Sequence, residues 1–268
     1  MSIVDKERAI KSIVSASVSS FAVAFKDRHI EEHDDPEGTI NMKIHNVFIA
    51  VLGSDIQYYT ALARSLDSSL GNMLEAMAIE IAKLSYVVDN HVKGKLFNKQ
   101  TEFIADLLEK YKRHERHPQI EDYLELRNLV SGNSFTKRHE SDYYLIDEEN
   151  NQHYLIELKI GGDLDNKKAR AEKEAILEQY CILSNTLSEE ANISIKFATA
   201  YNRFGENKGW KQERVKQFFA DDELLIGRDF WNFICKSQNG YELVLNAYRE
   251  KAPELKDALE EIKHRYLG

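Results

Sequence analysis

One predicted hairpin gathers two carboxylates and an amine. Segments 141–147 and 152–160 are rich in Tyr, Leu and Ile, and Glu148-Glu149-Asn150-Asn151 separates them, the composition of two antiparallel strands joined by a polar loop. With residues 148–151 as the loop, Asp147 pairs with Gln152, and the register carries along the ladder to set Asp142 opposite Glu157. Directly opposed residues share a face, with Cβ atoms about 4.5–5.5 Å apart. Glu157 and Lys159 point one way, while Ile156, Leu158 and Ile160 point the other. Asp142, Glu157 and Lys159 are therefore expected to converge.

Carboxylates that share a site repel one another unless a cation neutralises them. Oxygen ligands favour Mg²⁺, for which Mn²⁺ can substitute, and that ion binds through one or two carboxylates plus substrate phosphate. A lysine beside it can orient and help deprotonate an attacking water while the metal polarises the phosphate. The implied chemistry is phosphodiester hydrolysis. The chain holds five carboxylate-x-Lys triplets, but those at Asp165, Glu206, Glu254 and Glu261 lie in polar loops or charge-rich helical stretches, where a solvated surface accounts for them. Only Glu157-Leu158-Lys159 lies in an apolar strand.

The elements that must hold this trio follow from periodicity. Residues 4–28 have helical spacing, with Ile10, Ile13, Val14, Val18 and Phe21 on one stripe. An acidic loop over 31–38 with Pro36 ends that helix. Residues 54–88 read as helical with a break near Gly71, followed by helices at 98–113 and 119–130 around a turn at Pro118. After the hairpin come a helix at 166–187 and a β-rich run at 193–201, which can join the hairpin sheet by a crossover. The expectation is a single α/β domain over 1–268, with a helix-rich part at 1–130, a catalytic sheet core at 131–235 and carboxy-terminal helices at 240–268.

The order Asp142, hairpin, Glu157-x-Lys159 resembles the PD-(D/E)xK nuclease core, with Ser141 in place of the usual proline. Segments 157–170 (ELKIGGDLDNKKAR), 64–75 (RSLDSSLGNMLE), 201–206 (YNRFGE) and 224–231 (LLIGRDFW) are similar to type II restriction endonucleases, in particular the TdeIII-like group. The resemblance implies a restriction-endonuclease-like mixed β-sheet core flanked by helices, and Mg²⁺ held by Asp142, Glu157 and the Leu158 backbone carbonyl. It carries a helical acidic residue of related nucleases onto Glu75, as a further metal or lysine-orienting ligand. Glu75 lies in the apolar helix 69–85 with Ala78 and Ile79 as its neighbours, whereas Glu80 has Lys83 for a surface pair; a carboxylate hydrogen-bonded to backbone is the competing reading for Glu75. The resemblance further implies a homodimer on a short palindrome in double-stranded DNA and a partner methyltransferase. Competing functions are a repair or structure-specific nuclease on the same core and a non-enzymatic helical assembly protein.

Candidate DNA contacts follow the strand. Gly161-Gly162 lets the chain turn sharply, Asp163 or Asp165 can cap the next helix, and Lys167, Lys168, Arg170 and Lys173 occupy its first turns. Cations at a positive helix end call for anions, which DNA phosphate or Asp163, Asp165 and Glu172 could supply. Asn202 and Arg203 place amide and guanidinium groups together for base or phosphate contacts. Gln179 and Tyr180 read as packing residues, and His114 with His117 lacks the further ligands of a zinc site.

Net charge is −9, which opposes polyanion binding overall, yet five acids concentrate in residues 31–37. Residues 196–216 carry six Lys or Arg against two Glu, and 93–116 carry seven against four acids, so local neutralisation of phosphates and an ordinary solvated helix face are both open. Two cysteines, Cys181 and Cys235, each in a predicted helix, are too few for a disulfide framework. No signal-like segment stands at the amino terminus and the longest apolar run, 47–52, is too short to cross a bilayer, so a cytoplasmic setting is expected.

Overall fold

The computed structural model describes residues 2–161 and 164–268, without the side chains of Ser141, Asp142 and Asn166. Along the chain, α1 (Ile3–Glu31), α2 (Val47–Ala50) and α3 (Ser54–Ala82) precede β1 (Val87–Phe97), α4 (Asn98–Lys112) and α5 (Glu121–Asn128). The hairpin β2 (Ser134–Asp147) and β3 (Gln152–Leu158) follows, then α6 (Asn166–Ser184) and β4 (Asn192–Thr199). Next come α7 (Glu213–Lys216), β5 (Leu224–Ile226), α8 (Arg228–Ile234) and α9 (Gly240–Leu267). The result is the expected mixed α/β fold with a helix-rich amino-terminal half.

Two compact units emerge, Met1–Ile81 with Glu242–Gly268, and Ala82–Tyr241. The first is helical. Its core joins Phe25 of α1, Tyr58, Ala61 and Leu62 of α3 and Ile262 of α9. Buried positions of α1 recur at Ile10, Val14, Val18, Ala22, Phe25 and His29, one stripe of an amphipathic helix. By length and composition alone Ile3–Asp34 is apolar enough to cross a bilayer, a test that the core helix of a globular unit also passes. Helix α3 runs unbroken through Gly71, contrary to expectation. A glycine inside a helix costs about 1 kcal/mol relative to alanine, less than burying side chains such as Met77 and Ile81 returns.

The second unit is a five-stranded sheet in the order β1-β2-β3-β4-β5. Strands β2 and β3 pair antiparallel from Asp147↔Gln152 to Tyr143↔Ile156, the register read from the sequence. Helix α6 is the crossover that brings β4 parallel to β3. On one face Leu155, Ile195 and Phe197 pack with Ile176, Leu177 and Tyr180 of α6 and with α4. On the other, Tyr154 meets Phe233 edge-on at 4.8 Å and Tyr143 meets Phe230 of α8.

Strand β1 differs from expectation: the predicted helix stops at Ala82, and Val87 opens an edge strand paired with a β2 that begins well before the hairpin segment. Only Val92 and Leu96 of β1 are buried, so an edge with Lys93 and Lys95 leaves little alternation to read. Helices α4 and α5 accordingly belong to the sheet unit. Cys181 is buried within α6, whereas Cys235 caps α8 rather than lying inside it; neither is in a disulfide.

Candidate active site

The site is built at the end of the central strand. Glu157 and Leu158 pair with Phe197 and Ala198 of β4, and the Lys159 N–H continues the ladder by donating to the Ala198 carbonyl at 2.9 Å. Alternation along β3 puts Leu155 in the α6-facing core and Leu158 among the buried residues of the chain. Glu157 and Lys159 follow Leu155 on the α6 face. Glu157 is only 9% exposed, a depth at which an ionised carboxylate needs a partner. Lys159 provides it: Nζ donates to Glu157 Oε1 and lies 3.4 Å from Glu172 Oε1 on α6.

Glu172 carries no signal in the hairpin pattern. It becomes legible only once the phase of α6 is fixed by its amino-terminal cap, where Asp165 accepts the Lys168 N–H at 2.8 Å, as expected of one of the two candidate caps. Asp163, the other, lies outside the described residues. The cap places Glu172 two turns into the helix, over Lys159. One ammonium thus stands between two carboxylates, an oxygen-rich donor set of the kind hard divalent cations accept. No group of three His, Cys, Asp or Glu able to hold a metal occurs among the described residues.

Asp142 belongs to β2, but its side chain lies outside the described residues. The register between β1 and β2 shifts between the pairs Asp89↔Tyr144 and His91↔Glu140, an irregularity that brackets position 142. Glu75 is half-buried on α3, in the other unit, and Glu80 is exposed there. Asp147 is tied to Lys236 at 2.8 Å and to Asn150 at 2.9 Å. The Lys236 hydrogen bond holds its carboxyl below the usual range.

Further along α6, Glu178 is buried and meets Lys137 Nζ at 2.5 Å and His139 Nε2 at 2.8 Å, both on β2. Burial pushes its pKa up, but the His139 and Lys137 contacts outweigh this and hold the carboxyl below its ordinary range. Lys173, expected among the cations of the first turns, is fully buried. It donates to both oxygens of Glu223 at 2.8 Å and lies 4.6 Å from the Phe219 ring centre, because the ion pair and aromatic wall offset its desolvation. Burial still lowers its pKa.

The other candidate contacts divide. Lys167 and Lys168 are exposed at the start of α6. Arg170 pairs with Glu109 of α4 at 2.9 Å. The Asn202 amide donates to the Lys208 carbonyl at 2.7 Å while its oxygen accepts the Phe204 N–H at 3.0 Å, so it closes its own loop. Arg203 is exposed beside the Phe204 ring. In the 93–116 stretch Lys110, Lys112 and Arg113 pair with Asp106 and Glu109, as a solvated face would, whereas Arg116, beyond α4, pairs with the buried Asp122. Gln179 and Tyr180 are buried, in keeping with packing, and His114 approaches Gln217.

Segments 201–206 and 224–231 meet. The Arg228 N–H donates to Glu206 Oε1 at 2.6 Å, and Trp231 Nε1 donates to the Ala200 carbonyl at 2.8 Å. Gly227 has φ 55°, and a Cβ there would stand 2.7 Å from the same Glu206 oxygen, so only glycine fits. These residues knot a loop to a helix and are structural.

No curated protein and no solved structure matches the chain. A family of type II restriction endonucleases, HinfI, matches residues 6–252, nearly the whole length. The match carries the nuclease assignment and sets aside the assembly-protein reading; it does not extend to the TdeIII-like group. Strand, Glu-x-Lys pair and family agree: the chain belongs to the HinfI family of type II restriction endonucleases, which are site-specific deoxyribonucleases.

Proposed function

We propose that the chain hydrolyses phosphodiester bonds of double-stranded DNA at a short specific sequence, using Mg²⁺ or Mn²⁺. The observation that carries this reading is Lys159 seated between Glu157 and Glu172 at the end of a buried strand. Continued one residue beyond Tyr143↔Ile156, the β2–β3 register sets Asp142 opposite Glu157. A register irregularity at that place is a device by which a strand re-aims a side chain. Asp142, Glu157 and the Leu158 carbonyl are the proposed metal ligands, with Glu75 as a further one. When bound, the cation polarises the scissile phosphate and stabilises the charge that develops on it.

Lys159 positions the attacking water, and its two carboxylate neighbours fix where its amine points. The water oxygen bonds to phosphorus, the ester P–O bond breaks, and the departing oxygen takes a proton. Lys167, Lys168 and Arg203 are the proposed phosphate or base contacts; Arg170 and Asn202 join them by exchanging their present partners. Both units act together as one endonuclease over 1–268, a cytoplasmic homodimer on a palindrome, with a methyltransferase protecting the same sequence.

A plasmid digest tests this. Discrete fragments that need Mg²⁺, vanish with a chelator and are abolished by methylation of the site are expected. A smear at every salt concentration, or cleavage confined to branched or single-stranded DNA, transfers the chain to a repair nuclease role.

A further inference from the structure

The helical unit holds a cavity of about 550 Å³ whose charge is opposite to that of the chain. Its lining includes Arg28 of α1, Arg64 of α3 and Lys43 of the turn between them, and no carboxylate. Hydroxyls complete it: Thr39, Ser65, Ser68 and Ser69. In a chain of net charge −9, three cations converging with four hydroxyls form the local field an anion would seek.

Arg28 is prepared for such a role. Its Nη2 donates to Ser65 Oγ at 2.8 Å and approaches His29 Nε2 at 3.1 Å, which fixes the guanidinium plane while 44% of the side chain stays exposed. The nearest acid, Glu32, reaches Arg28 Nε only at 3.9 Å and accepts the Thr39 N–H at 2.9 Å. Among the described residues, Lys43 and Arg64 have no carboxylate within 4 Å. The trough continues into a second cavity of about 600 Å³, which shares Arg28 and Ser69 and adds Ser17, Ser20 and Asn72, with Glu80 as its acid. Segment 64–75 lines both.

We propose that this basic, hydroxyl-lined trough binds the sugar–phosphate backbone of duplex DNA, giving the helical unit a sequence-independent hold on the substrate. Guanidinium and hydroxyl donors in an open groove suit phosphate oxygens, and such contacts position a duplex without reading it. The inference rests on the reading of the chain as a duplex-cutting enzyme.

The test is binding of a labelled duplex to the full-length protein, followed by anisotropy over a range of potassium chloride without divalent cation. Each lost phosphate contact lowers the slope of log affinity against log salt by about 0.9. Lys43→Gln/Arg64→Gln should therefore be shallower than wild type by roughly 1.8, equally on cognate and unrelated sequences, while Arg64→Lys keeps the wild-type slope. A double variant with the wild-type slope overturns the proposal. Lysine acetylation of the unmutated protein gives a second reading that needs no variant to fold: duplex should protect Lys43, and equal labelling with and without DNA also overturns it. If the wild type binds no duplex without divalent cation, the trough proposal fails while the proposed function is decided by the plasmid digest; if it cuts a plasmid into discrete fragments but shows neither effect, the trough alone is refuted.

Discussion

Asp147 and Asp142 lie on the same strand, and the two should respond to the same substitution in opposite ways. Asp147 alternates with the residues facing α6, is 5% exposed, and is held by Lys236 at 2.8 Å and Asn150 at 2.9 Å. Asp147→Asn removes the charge but keeps an oxygen for Asn150. A hydrogen bond to a charged group contributes about 1.5–3 kcal/mol. Because the Lys236 side chain is 35% exposed and stays hydrated, the lower end applies, about 1–2 kcal/mol. Over a unit of this size, about 2–4 °C of melting temperature per kcal/mol gives a fall of roughly 2–8 °C. Turnover should be unchanged. The carboxyl is held below its ordinary value in the fold, so its contribution is present above the unfolded carboxylate pKa and is lost as pH falls through the folded one. The melting difference between wild type and variant should accordingly close below about pH 4. Thermal unfolding at several pH values and a plasmid digest measure both quantities. An inactive Asp147→Asn beside an active Asp142→Asn would refute the register and with it the site.

Glu157→Ala or Lys159→Ala should reduce turnover by at least several orders of magnitude while duplex affinity persists, since these groups act on the transition state; cleavage kinetics beside a binding titration decide it. Glu172→Gln removes one of the two carboxylates that aim the Lys159 amine while Glu157 still holds it, and a misplacement of this kind costs about 10²-fold in turnover, with an altered pH–rate profile as the sign that Lys159 is the group affected. Glu223→Gln strands the buried Lys173 ammonium and should cost about 3–5 kcal/mol of stability, whereas Lys173→Met/Glu223→Leu should cost less, its remaining loss coming from the Tyr123 hydroxyl and Ala220 N–H that Glu223 no longer accepts; denaturant unfolding of the three proteins tests the contrast.

The hairpin was legible because its signals are local. Alternation of period two, a four-residue polar loop and an apolar strand around Glu157 determine register without knowledge of the rest of the fold. Helices with a continuous apolar stripe, such as α1, were legible for the same reason. Strand β1 was not, since an edge strand with two buried side chains has almost no pattern to show. Lys173 illustrates the other failure. In sequence it is one cation of a basic run; its burial depends on Glu223, fifty residues away, arriving beneath it. Glu172 was visible only as a possible counter-charge, because nothing local states which face of α6 meets Lys159.

Helix α6 is fastened at three heights: Glu172 to Lys159, Lys173 to Glu223 and Glu178 to Lys137. A slip of one residue along a helix moves each side chain by about 1.5 Å and turns it by about 100°, so no shifted seating preserves even two of these contacts. The helix therefore has one permitted position rather than a range. Insertions or deletions between Glu172 and Glu178 should be intolerable in functional homologues, whereas length changes between Ser184 and Asn192 leave all three fastenings aligned. Drift in the length of this protein is thus channelled to the ends of its crossover, and the placement of the carboxylate over Lys159 is inherited as a matter of counting.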